Sequence, residues 1–237
     1  MKNTLCFVFA SLILFWSIFP ATLDAQDQTR SVTSEQIRDM ARTTSVPDMR
    51  TVTVEGSPFL SEDFANGSIV LSNNRTTNVL PLRYNAYEGS LQFREGQDIF
   101  SIADQDVKEF ELYLSDRNIK FKKGFSADRL DPDKFVALMT DGEASFIVLF
   151  SKNLREDISG YGQATQVQEY TDSNEFFVKF GDNSPDRLRS LSSRRVLRSF
   201  PSHRDQLERY SDHNNLQLDQ IVDVAKLFSH YNSLLEE

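Results

Sequence analysis

The sequence predicts an α+β protein: an antiparallel, β-rich body of about nine or ten short strands, barrel-like or a strongly curved sheet, followed by a two- or three-helix C-terminal tail. Three observations predict it. Across residues 51–181, short runs of alternating apolar and polar residues are separated by turn-forming clusters. No helical period interrupts them, which argues against parallel βαβ units, whose crossovers need helices. From about Ser184 the apolar spacing changes to three and four residues, the period of a helix face.

Residues 1–25 read as a signal peptide. Lys2 gives a positive start, residues 5–19 form an apolar run of 15, Pro20 breaks it, and Ala25 is a small residue at the expected cleavage position. A run of that length covers about 22 Å as a helix, short of the roughly 30 Å hydrocarbon core of a bilayer. Removing 25 of 237 residues leaves 212, and takes with it the only Cys, the only Trp and four of the 19 Phe. A mature chain without thiols excludes disulfides, thiolate catalysis and thiolate metal sites. An exported protein of this size without cysteine fits a bacterial periplasm, outer surface or extracellular space. No second apolar run is long enough to span a membrane. Asn66-Gly67-Ser68 and Asn74-Arg75-Thr76 match the glycosylation pattern, but both are expected at turns.

Residues 26–50 form a polar leader with one short helical candidate near residues 34–42 and no strong apolar face. Strands are then expected at 68–71 and 78–84, around the turn-rich 72–77, and at 90–94 and 98–102. In 107–114, Phe110, Leu112 and Leu114 share one face while Glu109, Glu111 and Tyr113 take the other. Further strands are expected at 120–123 and, bracketing Asp141-Gly142, at 135–139 and 145–150. A last hairpin is expected at 165–170 and 175–180, around Asp172-Ser173-Asn174.

Residues 182–237 form the helical segment. Ser202 and Asp205 have capping-box spacing, so a helix should run from there to about His213, ended by Asn214-Asn215. In the final helix Leu218, Ile221, Val222, Ala225, Phe228 and Leu235 recur on one face. This stripe packs on the body or on a partner. Asp219 should lie in the first turn, where the helix dipole favours a carboxylate.

Gly56-Ser57-Pro58-Phe59-Leu60, then Pro81-Leu82-Arg83-Tyr84-Asn85-Ala86-Tyr87 and Leu91-Gln92-Phe93, resemble an uncharacterised family of exported bacterial proteins. The segment from Arg194 through Tyr231-Asn232 is similar to that family's short helical tail. The resemblance implies export and a β-rich body, and it carries no known activity, cofactor or catalytic residue. Physically, Pro81 lacks a ladder donor, so its strand should be at an edge or start at a bulge. Arg83 and Asn85 should share one face, with Leu82, Tyr84 and Ala86 on the other. Arg83 then has three readings: a structural lock held by carbonyls or a carboxylate, the floor of an anion- or sugar-binding groove beside Tyr87, or an exposed position of no consequence.

The chemistry-bearing patterns are sparse. His203 and His213 fall some 80° apart on one helix and three turns distant, so they cannot share a metal; with His230 they read as solvated. Neither H-E-x-x-H nor G-x-S-x-G occurs, and Gly160-Tyr161-Gly162 lacks a third glycine. Asp104/Asp106, Asp131/Asp133 and Glu109/Glu111 are the candidate carboxylate pairs for glycoside hydrolysis; as turns or wet strand faces they need no catalytic role. Asp182-Asn183-Ser184-Pro185-Asp186 lacks full calcium-loop spacing and reads as a turn entering the first tail helix.

Charge is unevenly placed. Residues 187–209 contain seven Arg and two acids, a local +5, so the remainder of a mature chain with net charge −9 carries −14. This basic segment either docks on the acidic body by charge complementarity or binds an anionic envelope component. Nucleic acid does not suit an exported acidic chain. The sequence thus points to a non-enzymatic envelope or cell-surface binding protein of unknown ligand, without catalytic residues, metal or cofactor. Arg83, Tyr84, Asn85, Tyr87, Arg194, Arg195 and Arg198 are its candidate binding residues, for an anionic envelope component or a protein partner. The alternatives are a carbohydrate-active hydrolase using a carboxylate pair and a structural envelope protein.

Overall fold

The computed structural model describes residues 31–43, 53–115, 117–157 and 167–236. The expected signal peptide and Gly160-Tyr161-Gly162 lie outside them. In chain order the elements are α1 (Ser34–Met40), β1 (Arg42–Thr43), β2 (Thr53–Glu55), β3 (Ala65–Leu71), β4 (Leu80–Asn85), β5 (Ser90–Glu95) and β6 (Asp98–Ile102). A short 3₁₀ turn at Asp104–Asp106 leads into β7 (Val107–Tyr113), β8 (Asn118–Lys122), β9 (Val136–Thr140), β10 (Ala144–Leu149), β11 (Lys152–Asp157) and β12 (Val167–Asp172). Then come β13 (Glu175–Phe180), β14 (Asp186–Leu188), α2 (Ser193–Ser199), α3 (Arg204–His213) and α4 (Ile221–Leu235).

The protein is a β-rich α+β fold ending in a helix. Eleven strands form one antiparallel sheet in the order β1-β6-β5-β4-β3-β7-β8-β9-β10-β13-β14. The sheet ends at β1 and β14 and does not close into a barrel. Its order follows the chain except at three places, the first being β1, which pairs with β6. After β6 the chain returns to pair β7 along β3. After β10 it leaves the sheet as the β11–β12 hairpin, which pairs in parallel with β2, and comes back as β13 beside β10.

Alternation builds the inner face. Leu82, Tyr84, Phe93, Phe110, Leu112 and Phe121 are buried there. Phe110 and Phe121 stack across β7 and β8 with centroids 4.5 Å apart, and Tyr84 packs against both. Two bulges interrupt the ladders. Val70 faces Glu109 and Leu71 faces Val107, so Lys108 is the extra residue in β7. Phe146 faces Thr140 and Ile147 faces Leu138, so Met139 is the extra residue in β9. A bulged residue leaves the ladder and its side chain is re-aimed.

The helical tail covers part of the inner face through apolar residues. Val224, Leu227, Phe228 and Tyr231 of α4 are buried, with Phe228 against Phe146, Phe180 and Phe200. Asn232 clasps the β9–β10 hairpin: its Nδ2 donates to the Ala144 carbonyl at 2.9 Å and its Oδ1 accepts from the Ala144 N–H at 2.7 Å. The Thr140 hydroxyl donates to the Ala225 carbonyl. None of the four helices of the described residues is long and apolar enough to cross a membrane.

Several expectations are corrected. Fourteen strands are described rather than nine or ten; β1, β2, β11 and β14 are short or charged and carry no alternation. Strands β12 and β13 do not form the expected hairpin but lie in different sheets. Residues 182–186 enter β14, not a helix. The leader is not loosely held where it is described, because Val32 and Ile37 are fully buried. Pro81 is not on an edge strand; the β4–β5 ladder starts at Leu82, so the missing N–H precedes the part of β4 flanked on both sides. Asn66 lies within β3 rather than a turn. Helix α3 is preceded by His203 in the left-handed region, and Ser202 bonds His203 and Tyr231 instead of capping. Asp223, not Asp219, occupies the first turn of α4.

Gly67 shows how tightly the centre is packed. An added Cβ would lie 2.2 Å from the Glu111 carbonyl oxygen and 2.7 Å from Leu82 Cδ1. Backbone cannot yield as a flexible side chain would, so Gly67→Ala should cost about 3 kcal/mol, read as a lower urea midpoint with unchanged slope.

Candidate functional site

The two motif blocks meet in space. The Leu60 N–H donates to the Tyr84 carbonyl at 3.0 Å and the Tyr87 N–H to the Pro58 carbonyl at 3.1 Å. Between these bonds Phe59 lies under the Arg83 guanidinium, 3.6 Å from ring centroid to Cζ, and Phe64 lies 4.4 Å from it. Arg83 also donates to the Glu62 carbonyl and, across the ladder, to Gln92 Oε1 at 2.9 Å. Burial and the neighbouring Arg94 hold its pKa below the usual arginine value, and delocalised charge over two aromatic faces offsets part of that cost.

The neighbouring motif residues have separate tasks. Tyr84 points inward among Phe110 and Phe121, and burial together with Asp104 pushes its phenol pKa up. Asn85 turns the β4–β5 hairpin, its Oδ1 accepting from the N–H groups of Tyr87 and Glu88. Tyr87 is exposed and packs edge-on against Tyr170 of β12. The motif therefore ties the 56–60 segment to β4 and carries the three-stranded sheet beside it.

The arginine segment does not dock by charge. Arg194, Arg195 and Arg198 are exposed on α2, and within residues 187–209 the one ion pair among the described residues is Arg187 with Glu175 at 2.8 Å. The buried residues of the segment are apolar: Leu188, Val196, Phe200 and Leu207. Arg195 donates to the Ser190 hydroxyl.

A cavity of about 670 Å³ lies between the inner face of the sheet and the chain around α4's start. Its buried floor carries the aliphatic Leu82, Leu112 and Ile119 from three strands, together with Tyr84 and Phe150. Met139, re-aimed by the β9 bulge, and Ile221 and Val222 of α4 form its wall. Asp63, Arg189, Asp219 and Gln220 are exposed at the rim beside Ser190 and Arg117. A second hollow shares Arg117, Met139 and Val222 with it and is otherwise lined mainly by polar side chains, among them Asn118, Lys226, Ser229 and His230.

Of the seven candidate residues, Arg83 and Tyr84 belong to the lining, and Arg195 reaches it through Ser190. Asn85, Tyr87, Arg194 and Arg198 do not. Both terminal nitrogens of Arg83 are committed, to Glu62 and Gln92, and only its buried Nε has no partner among the described residues, so it acts as a lock. Sequence reasoning missed Met139, Asp63 and Arg117, and placed Arg189 in the basic run without singling it out. Among the other lining residues, Leu112 and Leu114 carried a signal through strand alternation, and Ile221 and Val222 as part of the apolar stripe.

The proposed carboxylate pairs are not in this cavity. Asp104 pairs with Lys123 and Glu109 with Lys122, while Asp131 accepts from the Asp133 N–H in a turn. His230 stacks on Tyr210, and His203 bonds Ser202. No group of three or more potential metal ligands occurs among the described residues. No protein-family model, curated protein or solved structure matches the chain.

Two substitutions separate lock from surface. Arg83→Lys keeps the charge but loses the planar stack and one of two donor arms, and should cost about 1–2 kcal/mol in chemical denaturation. Replacing Arg194, Arg195 and Arg198 together by Ala should change stability by less than about 0.5 kcal/mol for each site. A larger loss in the triple variant would restore docking by charge.

Proposed function

We propose that the protein is an exported, non-enzymatic binding protein of the bacterial envelope or cell surface, and that its ligand occupies the cavity between the sheet and α4. The N-terminal pattern of Lys2, a 15-residue apolar run and Ala25 supports export, as does the resemblance carried by the two motif blocks. The observation that carries the binding reading is the cavity itself. Its volume of about 670 Å³ is that of sites for small organic ligands, which are concave and mostly apolar with a few polar groups that set orientation.

The sequence of α4 supports the same reading. A helix that only covers a core needs an apolar stripe on one side. Helix α4 has its buried stripe at Val224, Leu227, Phe228 and Tyr231, and a second apolar group, Ile221, Val222 and Ala225, about a third of a turn away. Val222 is 36% exposed and lines the cavity, so part of its side chain is free to meet a ligand. A hydrolase has less support, because the carboxylates at this rim, Asp63 and Asp219, come from segments that carry no acid/base pattern.

A neutral naphthylamine dye that fluoresces on leaving water tests the site in the purified protein. It should bind saturably at one site. Val222→Trp fills the wall from an exposed position, and should weaken dye binding at least tenfold with an unchanged thermal midpoint. Equal binding by the variant would place the dye elsewhere and sink the cavity as the ligand site.

A further inference from the structure

We infer that the cavity takes a single-chain anionic amphiphile: an aliphatic chain lies on the floor and an anionic headgroup is held at the rim by Arg189 and Ser190. This rests on the binding reading above and names the ligand class for the same site.

The floor decides the tail. Leu82, Leu112 and Ile119 present branched aliphatic surface, and Met139 adds an unbranched side chain that adapts to its neighbour. Tyr84, Phe150 and Phe176 also line the cavity, but they are outnumbered by the aliphatic Leu60, Leu82, Leu112, Leu114, Ile119 and Ile221, a balance that favours an alkyl chain. The aliphatic floor of the sheet and the α4 wall bound a trough that a single alkyl chain can occupy.

The rim decides the head. Arg189 is exposed, borders the cavity and makes no ion pair among the described residues. Ser190 beside it accepts a hydrogen bond from Arg195, so its own O–H remains available to donate. Arg195 has no carboxylate partner among the described residues either. Arg189 and Ser190 thus stand at the cavity edge with Arg195 bonded to Ser190 behind them, chemistry that favours carboxylate or phosphate oxygens. Asp63 and Asp219 also reach the rim; their charge disfavours an anion beside them and orients the headgroup toward Arg189. The arginines left exposed on α2 and α3 extend the same positive field outward, which steers an anionic ligand to the mouth.

Displacement of the naphthylamine dye from the purified protein tests this. The competitors are a homologous series of saturated fatty acids, the alcohols of matched length, a lysophosphatidic acid and an alkyltrimethylammonium. Each added methylene should tighten fatty-acid binding about fourfold until the trough is full. The acid should bind about tenfold tighter than its alcohol. Arg189→Ala should erase that difference while leaving the alcohol unchanged, and a matched thermal midpoint shows that the variant is folded. Tighter binding by either the carboxylate or the phosphate competitor supports the inference and names the headgroup. Dye that binds and is blocked by Val222→Trp, yet is displaced equally by acid, alcohol and alkylammonium, overturns the ligand class and leaves the binding reading standing. Absence of any saturable dye binding overturns the binding reading itself.

Discussion

Everything at the open side of the sheet depends on how α4 is seated. Phe228 sits among Phe146, Phe180 and Phe200, and Asn232 takes both backbone groups of Ala144. Apolar burial of this kind is strong but non-directional; it would let the helix slide or roll. The paired amide bonds to Ala144 supply the missing direction, because only one rotation and one axial position satisfy both. Gly142 completes the seat: it has a φ of +146°, and an added Cβ would lie 2.7 Å from Asn232 Nδ2. With its C-terminal half fixed in this way, the start of α4 is left over the sheet with Ile221 and Val222 lining a cavity rather than filling it.

The clasp around Arg83 does a comparable job on the other face of β4. Burying a guanidinium is costly unless its donors are satisfied and its charge is balanced. No carboxylate balances Arg83 among its described partners; two aromatic faces, a carbonyl and the Gln92 side chain do so instead. Cation–π contacts of this kind are worth about 0.5–2 kcal/mol each, enough to hold the 56–64 segment against β4 when added to its two backbone hydrogen bonds. Because Tyr84 precedes Asn85 on the opposite face, the same strand that carries the clasp also carries the aromatic column of the core. A short stretch of sequence thereby joins the two sides of the sheet.

Much of this was legible from local pattern, and what was not has identifiable causes. Strands such as β3 and β7 were readable because half-buried strands show period two, and the nearly wholly buried β9 and β10 because they bracket the Asp141-Gly142 turn. The end of α3 was readable at Asn214-Asn215, where Asn215 adopts φ +50°. Strand β11 was not, since Lys152–Asp157 is mostly polar and belongs to a small side sheet. The β12–β13 turn signal at 172–174 was real, but a turn fixes a change of direction and not which strands then pair. The face of α4 was misjudged by about a quarter turn, because the helix has two apolar groups and sequence cannot say which one meets the core. The Met139 bulge, which brings that side chain to the cavity, arises from register with β10 and has no local signature. Of the site, the motif and the basic run were visible in sequence; their partition into a lock, a surface and a rim required the fold.

The charge asymmetry acquires a different meaning once the tail is known to dock through apolar side chains. Had the arginines paired with the acidic body, their charge would be spent on internal contacts, and mutual neutralisation would leave little field outside. Their exposure instead keeps a basic surface next to the cavity on a chain that is acidic elsewhere. Surface charge of this kind contributes little to folding, but it does act at a distance of about a Debye length, roughly 8 Å at physiological ionic strength. Arg189 and Arg195 lie within that reach of the rim by construction, one lining it and the other bonded to Ser190. Under the proposed ligand, the apolar cavity and the basic residues at its rim are complementary parts of one site: the first would supply affinity in proportion to buried chain, and the second would select the sign of the head.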